Sequence, residues 1–109
     1  MTENRTHRIF AALSDQTRQR IVELLADGQS VRISDIAIEF SSTRQAVTKH
    51  INILCETGVV TTEKRGRERF TRLADNALDP IADWLQRYDK FWGAKLSDLK
   101  ELIESRQNT

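Results

Sequence analysis

Cysteine occurs once in these 109 residues and proline once. A single thiol excludes a disulfide framework within the chain. Histidine occurs only twice, so soft-metal ligands are scarce. No apolar run approaches the roughly 20 residues that cross a bilayer, which excludes a membrane span. The opening MTENRTHRIF shows neither a long apolar stretch nor a small-residue cleavage site, and predicts no secretory leader. There is no internal repeat, low-complexity tract or linker. What remains is 39% hydrophobic and 30% charged residues. That is polar for a globular chain, yet too rich in aliphatics for disorder. The length suits one domain spanning 1–109 in a cytoplasmic protein.

Net charge of either sign is also lacking: 17 basic against 16 acidic side chains leave +1. The balance hides an asymmetry. Residues 1–73 carry 12 basic and 9 acidic groups, a net +3, and residues 74–109 carry 5 and 7, a net −2. Between 41 and 72 the count is 7 to 3, or +4. A basic patch confined to part of a small domain suggests a polyanionic partner.

Apolar spacing divides the chain. Ile9, Phe10 and Leu13 predict a first helix over about 4–13. Ser14-Asp15 supplies a cap for the second, whose buried stripe is Ile21, Leu24 and Leu25 and which ends at Asp27-Gly28. Ser30 to Ile33 is a short β-like stretch. Ile36, Ala37 and Phe40 mark a third helix at about 33–40. Ser41-Ser42-Thr43 breaks it and caps a fourth, from about 44 to 57, on Ala46, Val47, Ile51 and Leu54. The period then changes. Val59 to Thr62 and Arg69 to Leu73 predict two strands joined by Lys64-Arg65-Gly66-Arg67, a hairpin with a basic tip. Asp79-Pro80 starts a last helix, to about 106, with Asp79 as cap. The fold predicted is mainly α with one small β-hairpin: a helix-turn-helix at about 33–57, a wing at about 59–73 and a long C-terminal helix at about 79–106. That is the winged-helix arrangement.

The fourth helix opens Thr43-Arg44-Gln45-Ala46-Val47-Thr48-Lys49-His50. With the apolar positions turned to the core, Arg44, Gln45, Thr48 and Lys49 share the other side. Arg suits guanine edges, Gln suits adenine, and Thr and Lys suit phosphates. His50 is placed either on a phosphate or in packing within the motif. The wing adds Lys64, Arg65, Arg67 and Arg69, suited to a phosphate backbone or the minor groove. Glu68 is a contrary charge among them. The stripe Ile81, Leu85, Tyr88, Trp92, Leu96, Leu99 and Ile103 runs about six turns, too long for one small core to cover, so it either packs on the first helix and a partner chain or breaks near Gly93. With Ile9 and Phe10 it is predicted to form a two-fold dimer interface.

The run from Ile9-Phe10-Ala11-Ala12-Leu13 through Asp15-Gln16-Thr17-Arg18 to Ile21 resembles the opening of ArsR/SmtB-family winged-helix repressors. Arg44 to Ile51, followed by Leu54, Gly58, Val59 and Val60, resembles that family's recognition helix and first wing strand. Arg65-Gly66-Arg67 with Phe70, Arg72 and Leu73 is similar to its wing. Trp84, Phe91-Trp92, Lys95-Leu96, Leu99 and Leu102 resemble the last helix of a subgroup. The resemblance spans about residues 8 to 104. It implies a homodimeric bacterial repressor on an imperfect palindrome in double-stranded promoter DNA. One departure concerns metals. Metal-sensing members carry a Cys-containing box at the start of the third helix, where this chain has Val31-Arg32-Ile33-Ser34-Asp35-Ile36. Residues 79–106 lack His, the ligand other members use on the last helix. No metal, cofactor or membrane partner is therefore expected, and Cys55 is expected to be a packed thiol. There is no Ser/His/Asp order and no Gly-rich phosphate loop, so an enzyme is not expected.

Overall fold

The computed structural model describes residues 2–87 and 97–105. Its elements are α1 (Thr2–Ala12), α2 (Gln16–Leu24), β1 (Val31–Arg32), α3 (Ile33–Glu39), α4 (Arg44–Glu56), β2 (Val60–Arg65), β3 (Glu68–Leu73) and α5 (Asp79–Gln86). Residues 97–105 are helical as well. Among the described residues no helix is long and apolar enough to cross a membrane.

Local chemistry sets most boundaries. The Asp15 carboxylate accepts from the Arg18 backbone N–H and caps α2. Thr43 Oγ1 accepts from the Ala46 N–H at 3.0 Å and caps α4. The end of α4 is a Schellman motif. Gly58 takes φ +81°, its N–H reaches Cys55 O at 3.0 Å, and the Val59 N–H reaches Leu54 O at 2.9 Å. The end of α3 repeats the pattern with Ser41 in the glycine position, at φ +50°. The Ser42 N–H bonds Ala37 O at 2.9 Å. A non-glycine residue there carries strain of the order of 1 kcal/mol. The chain therefore turns sharply from α3 into α4 within Ser41-Ser42-Thr43.

Apolar residues of α1 to α4 and the entry to β2 meet in one core. Ile9, Ile21, Leu25, Ile36, Ile51, Leu54 and Val59 are each fully buried there. The sheet holds more than the predicted hairpin, because β1 joins it as a third strand in the order β1-β3-β2. Val31 pairs with Thr71 and Arg32 with Phe70. The hairpin turn is also tighter than predicted. Arg65 pairs with Glu68, leaving Gly66 and Arg67 as a two-residue loop with φ +62° at Gly66, a primed turn that matches strand twist.

Two expectations are corrected. Ile9 has no surface for a partner subunit: it is 0% exposed inside its own core, because Ile9 and Ala12, three apart, form the inward stripe of α1. Asp79 does not cap the last helix. The cap position is Leu78, with no side-chain hydrogen bond, and Asp79 and Pro80 lie in the first turn. The cause is the preceding turn, where Asn76 sits at φ +58° and the Asp79 N–H already bonds Asn76 O. Of the last helix predicted over about 79–106, α5 and 97–105 are described; Tyr88, Trp92 and Leu96 of its stripe lie outside the described residues.

Candidate nucleic-acid interface

α4 lies against α3 and α2 with Val47, Ile51 and Leu54 turned inward. That burial forces the remaining faces outward. Arg44, Gln45, Thr48 and Lys49 line one open depression of about 530 Å³. Arg44, Gln45 and Lys49 are exposed and have no hydrogen-bond or ion-pair partner among the described residues. Thr48 differs from expectation: its hydroxyl donates to Arg44 O at 2.7 Å, a bond back to its own helix. Thr43 is exposed and spends its oxygen on the cap.

His50 turns aside from that group. Its Nδ1 lies 3.2 Å from an Arg18 guanidinium nitrogen and 3.8 Å from the Asp15 carboxylate. These partners belong to α2 and its cap, outside the helix-turn-helix at about 33–57. Asp15 is held below the usual carboxylate range, first by the Arg18 backbone hydrogen bond and then by the Arg18 charge, with desolvation opposing.

The wing has two unlike faces. Residues directly opposite in an antiparallel pair share a face. Lys64 therefore shares one with Arg69, its register partner, and with Thr62 and Thr71 two residues further in. Like charges directly opposite are unfavourable. Arg69 is half-buried and donates to Thr62 Oγ1 at 2.9 Å, while Lys64 is exposed without a partner among the described residues. The other face is neutralised. Arg65 pairs with Glu63 at 3.2 Å and stacks over Phe70 at 4.5 Å. Glu68, the contrary charge, accepts from Ser34 at 3.4 Å and is drawn toward α3. Arg67 projects from the turn, exposed and without a partner among the described residues.

Cys55 sits at the far end of α4, half-buried. Burial pushes its thiol up from its ordinary value, against the lowering influence of Thr62 and Arg69. Arg32 and Asp35, which stand at the start of α3, are joined by a salt bridge at 2.9 Å. Among the described residues no group of three His, Cys, Asp or Glu is placed to hold a metal ion.

Sequence reasoning missed the arginines that brace α4 from outside. Arg8 donates to Glu56 O at 3.0 Å, placing a cation at the helix C-terminus where it is favoured. The Arg5 guanidinium lies over Gly58, 3.2 Å from where a β-carbon would stand. Arg18 reaches His50 Nδ1 on α4 at 3.2 Å. Nothing in residue spacing pairs α1 or α2 arginines with acceptors some thirty to fifty positions away.

A helix-turn-helix with one polar, unpartnered helix face and a basic two-stranded wing defines a winged helix-turn-helix regulator. A family model described as "Bacterial regulatory protein, arsR family" matches residues 15–62. The chain is 34% identical over 85 residues to the uncharacterized HTH-type transcriptional regulator YuzN of Bacillus subtilis, covering 72% of this chain and 92% of that one. It is 29% identical to the transcriptional repressor SdpR of the same organism, over 73% of this chain and 88% of that one. Among solved structures, an ArsR-like transcriptional regulator from Rhodococcus sp. RHA1 superposes with a TM-score of 0.70 at 34% identity, covering 93% and 94% of the two chains. The chain belongs to the ArsR family of bacterial, DNA-binding transcriptional regulators. These relatives are regulators, not enzymes.

Proposed function

We propose that this protein is a cytoplasmic homodimeric repressor that binds a palindromic promoter operator and does not respond to metal ions. The observation that carries the DNA-binding part is the convergence of Arg44, Gln45 and Lys49 on one exposed face of α4 with no protein partner among the described residues. Arg44 and Gln45 occupy the first turn, the part of such helices that reaches base edges. Lys64, Arg67 and Arg69 supply phosphate contacts from the wing. Arg65 is already engaged by Glu63 and Phe70 and contributes less. The repressor assignment draws on the likeness to SdpR.

The dimer reading rests on apolar surface that the fold leaves uncovered. Phe10 is 40% exposed although its ring meets Trp84 edge-on at 5.3 Å, and Leu85, Leu99 and Ile103 are about half exposed. Surface of this kind costs about 25 cal/mol per Å² in water. Ile81 packs against the core and lends only its rim. The absence of metal control is argued from ligand chemistry. One thiol with a raised pKa and a histidine already taken by Arg18 make a poor soft-metal set.

The test is a titration of the DNA upstream of the chain's own gene at fixed salt, with zinc, with arsenite and with chelator. The three curves should coincide. A shift above about tenfold, roughly 1.4 kcal/mol of coupling, that survives Cys55→Ser would overturn the metal-independent reading. On a randomised operator library, Gln45→Ala should cost about 1–3 kcal/mol at one position per half-site. An unchanged base preference would remove Gln45 from the reading face.

A further inference from the structure

We propose that Arg18 fixes the tautomer of His50, and that His50 thereby presents a neutral Nε2–H to a backbone phosphate of bound DNA. The inference deepens the DNA-binding reading above and rests on it. His50 lies on α4 directly after Lys49, and its side chain keeps about a quarter of its surface exposed (26%). Its Nδ1 is 3.2 Å from an Arg18 guanidinium nitrogen. A guanidinium has donors only and does not lose its proton in proteins. The contact is a hydrogen bond only if Nδ1 supplies a lone pair, so the ring proton is on Nε2. Arg18 is itself held in place. Its Nε donates to Ala12 O at 2.6 Å and its backbone N–H donates to Asp15 at 3.0 Å. The other charge facing the ring, the Asp15 carboxylate, is 3.8 Å from Nδ1, beyond hydrogen-bond distance.

The opposite edge of the ring is uncommitted. No described residue accepts from Nε2. The one buried polar side-chain atom without a partner among the described residues is Thr71 Oγ1, so Nε2 reaches solvent. An N–H donor beside the DNA-facing side of α4 suits a phosphate oxygen, and contacts of that kind fix register without reading sequence. A neutral donor also differs from a lysine: it lowers the dissociation constant but releases no counterion, so it leaves the salt slope alone. Arg18 is a positioning residue in this scheme, since it acts through His50.

The experiment uses the full chain and a mixed-sequence duplex of about 30 base pairs as probe. Gln places an amide N–H near the position of Nε2, and Asn mimics only the Nδ1 edge. His50→Gln should bind within about twofold of wild type. His50→Asn should bind about five- to tenfold more weakly with an unchanged salt slope. Arg18→Met should weaken binding similarly and let both tautomers appear in the ¹⁵N spectrum of His50, where wild type at pH 7.5 shows Nε2–H alone. A wild-type imidazolium or Nδ1–H form would overturn the proposal. So would an Asn variant that binds like wild type, or one whose loss comes with a salt slope smaller by about one unit, the mark of a lost cation. Failure of wild type to bind the duplex would sink the DNA-binding reading and the phosphate contact with it, whereas the spectrum separately decides whether Arg18 sets the ring. Thermal melts of the two His50 variants, which share one site, separate a folding defect from a lost contact.

Discussion

Thr71 is fully buried at the centre of the sheet, paired with Val31 on one side and Thr62 on the other, and its hydroxyl has no partner among the described residues. A buried hydroxyl without a hydrogen bond costs about 1–3 kcal/mol. Valine has nearly the same shape and favours strands. Thr71→Val should therefore stabilise the fold by about 1 kcal/mol in urea denaturation; a loss of stability would mean that the hydroxyl is satisfied. Asp15 makes the opposite case, a polar group used to the full. Its pKa is depressed in the folded protein, chiefly by the Arg18 backbone N–H. A depressed carboxylate contributes stability above its unfolded pKa, and that contribution fades as pH falls through the folded value. Asp15→Asn should leave the melting temperature less sensitive to pH below about 4, the range of an ordinary aspartate. An acid limb as steep as wild type would show that other carboxylates set it.

At the scale of elements, the wing divides its labour between faces. Lys64 and Arg69 share one face with no acid, whereas Arg65 is matched by Glu63 on the other. Both members of that ion pair are more than half exposed, so its worth to stability is about 0–1 kcal/mol. On the proposed wing contact, Glu63 competes with phosphate for Arg65. Glu63→Gln should tighten binding to any duplex by about three- to tenfold with little change in melting temperature. Unchanged affinity would place Arg65 away from DNA. The same face logic explains what was legible in the sequence. α2 and α4 were readable because Asp15 and Thr43 cap them and apolar residues recur at helical spacing. Gly66 marked the hairpin turn. Spacing gives a helix its apolar stripe but not the body that stripe meets, so Ile9 was assigned to a partner and lies in the chain's own core. Asp79-Pro80 carries a start signal, but the Asn76 turn before it moves the cap one residue back. The exposed polar face of α4 was legible from amphipathicity. The roles of Arg8, Arg18 and Glu68 were not, because each depends on a contact made across the fold.

For the whole molecule, the uncovered apolar groups at the α1–α5 side and on 97–105 set the expected assembly. Leu99→Glu with Ile103→Glu changes two exposed positions and should leave the protomer folded but monomeric in sedimentation. Affinity for a two-half-site operator should then drop by about a hundredfold or more, since the two half-sites are no longer engaged by one linked unit. A variant that stays dimeric would place the interface elsewhere. The two residue pairs of β1 have a consequence for the order in which the molecule comes together. Val31 and Thr71 lie forty positions apart in sequence, and everything between them, the turn, α4 and β2 included, forms a loop that their pairing closes. Closing a loop of that length carries an entropy cost that grows only slowly with length but must be met before the contact rewards it. β1 is thus a clasp with few bonds, expected to fasten late, on a ring that contains α4. In native-state hydrogen exchange the Val31 and Arg32 amides should open well before those of β2 and β3, releasing the ring while its parts are still folded.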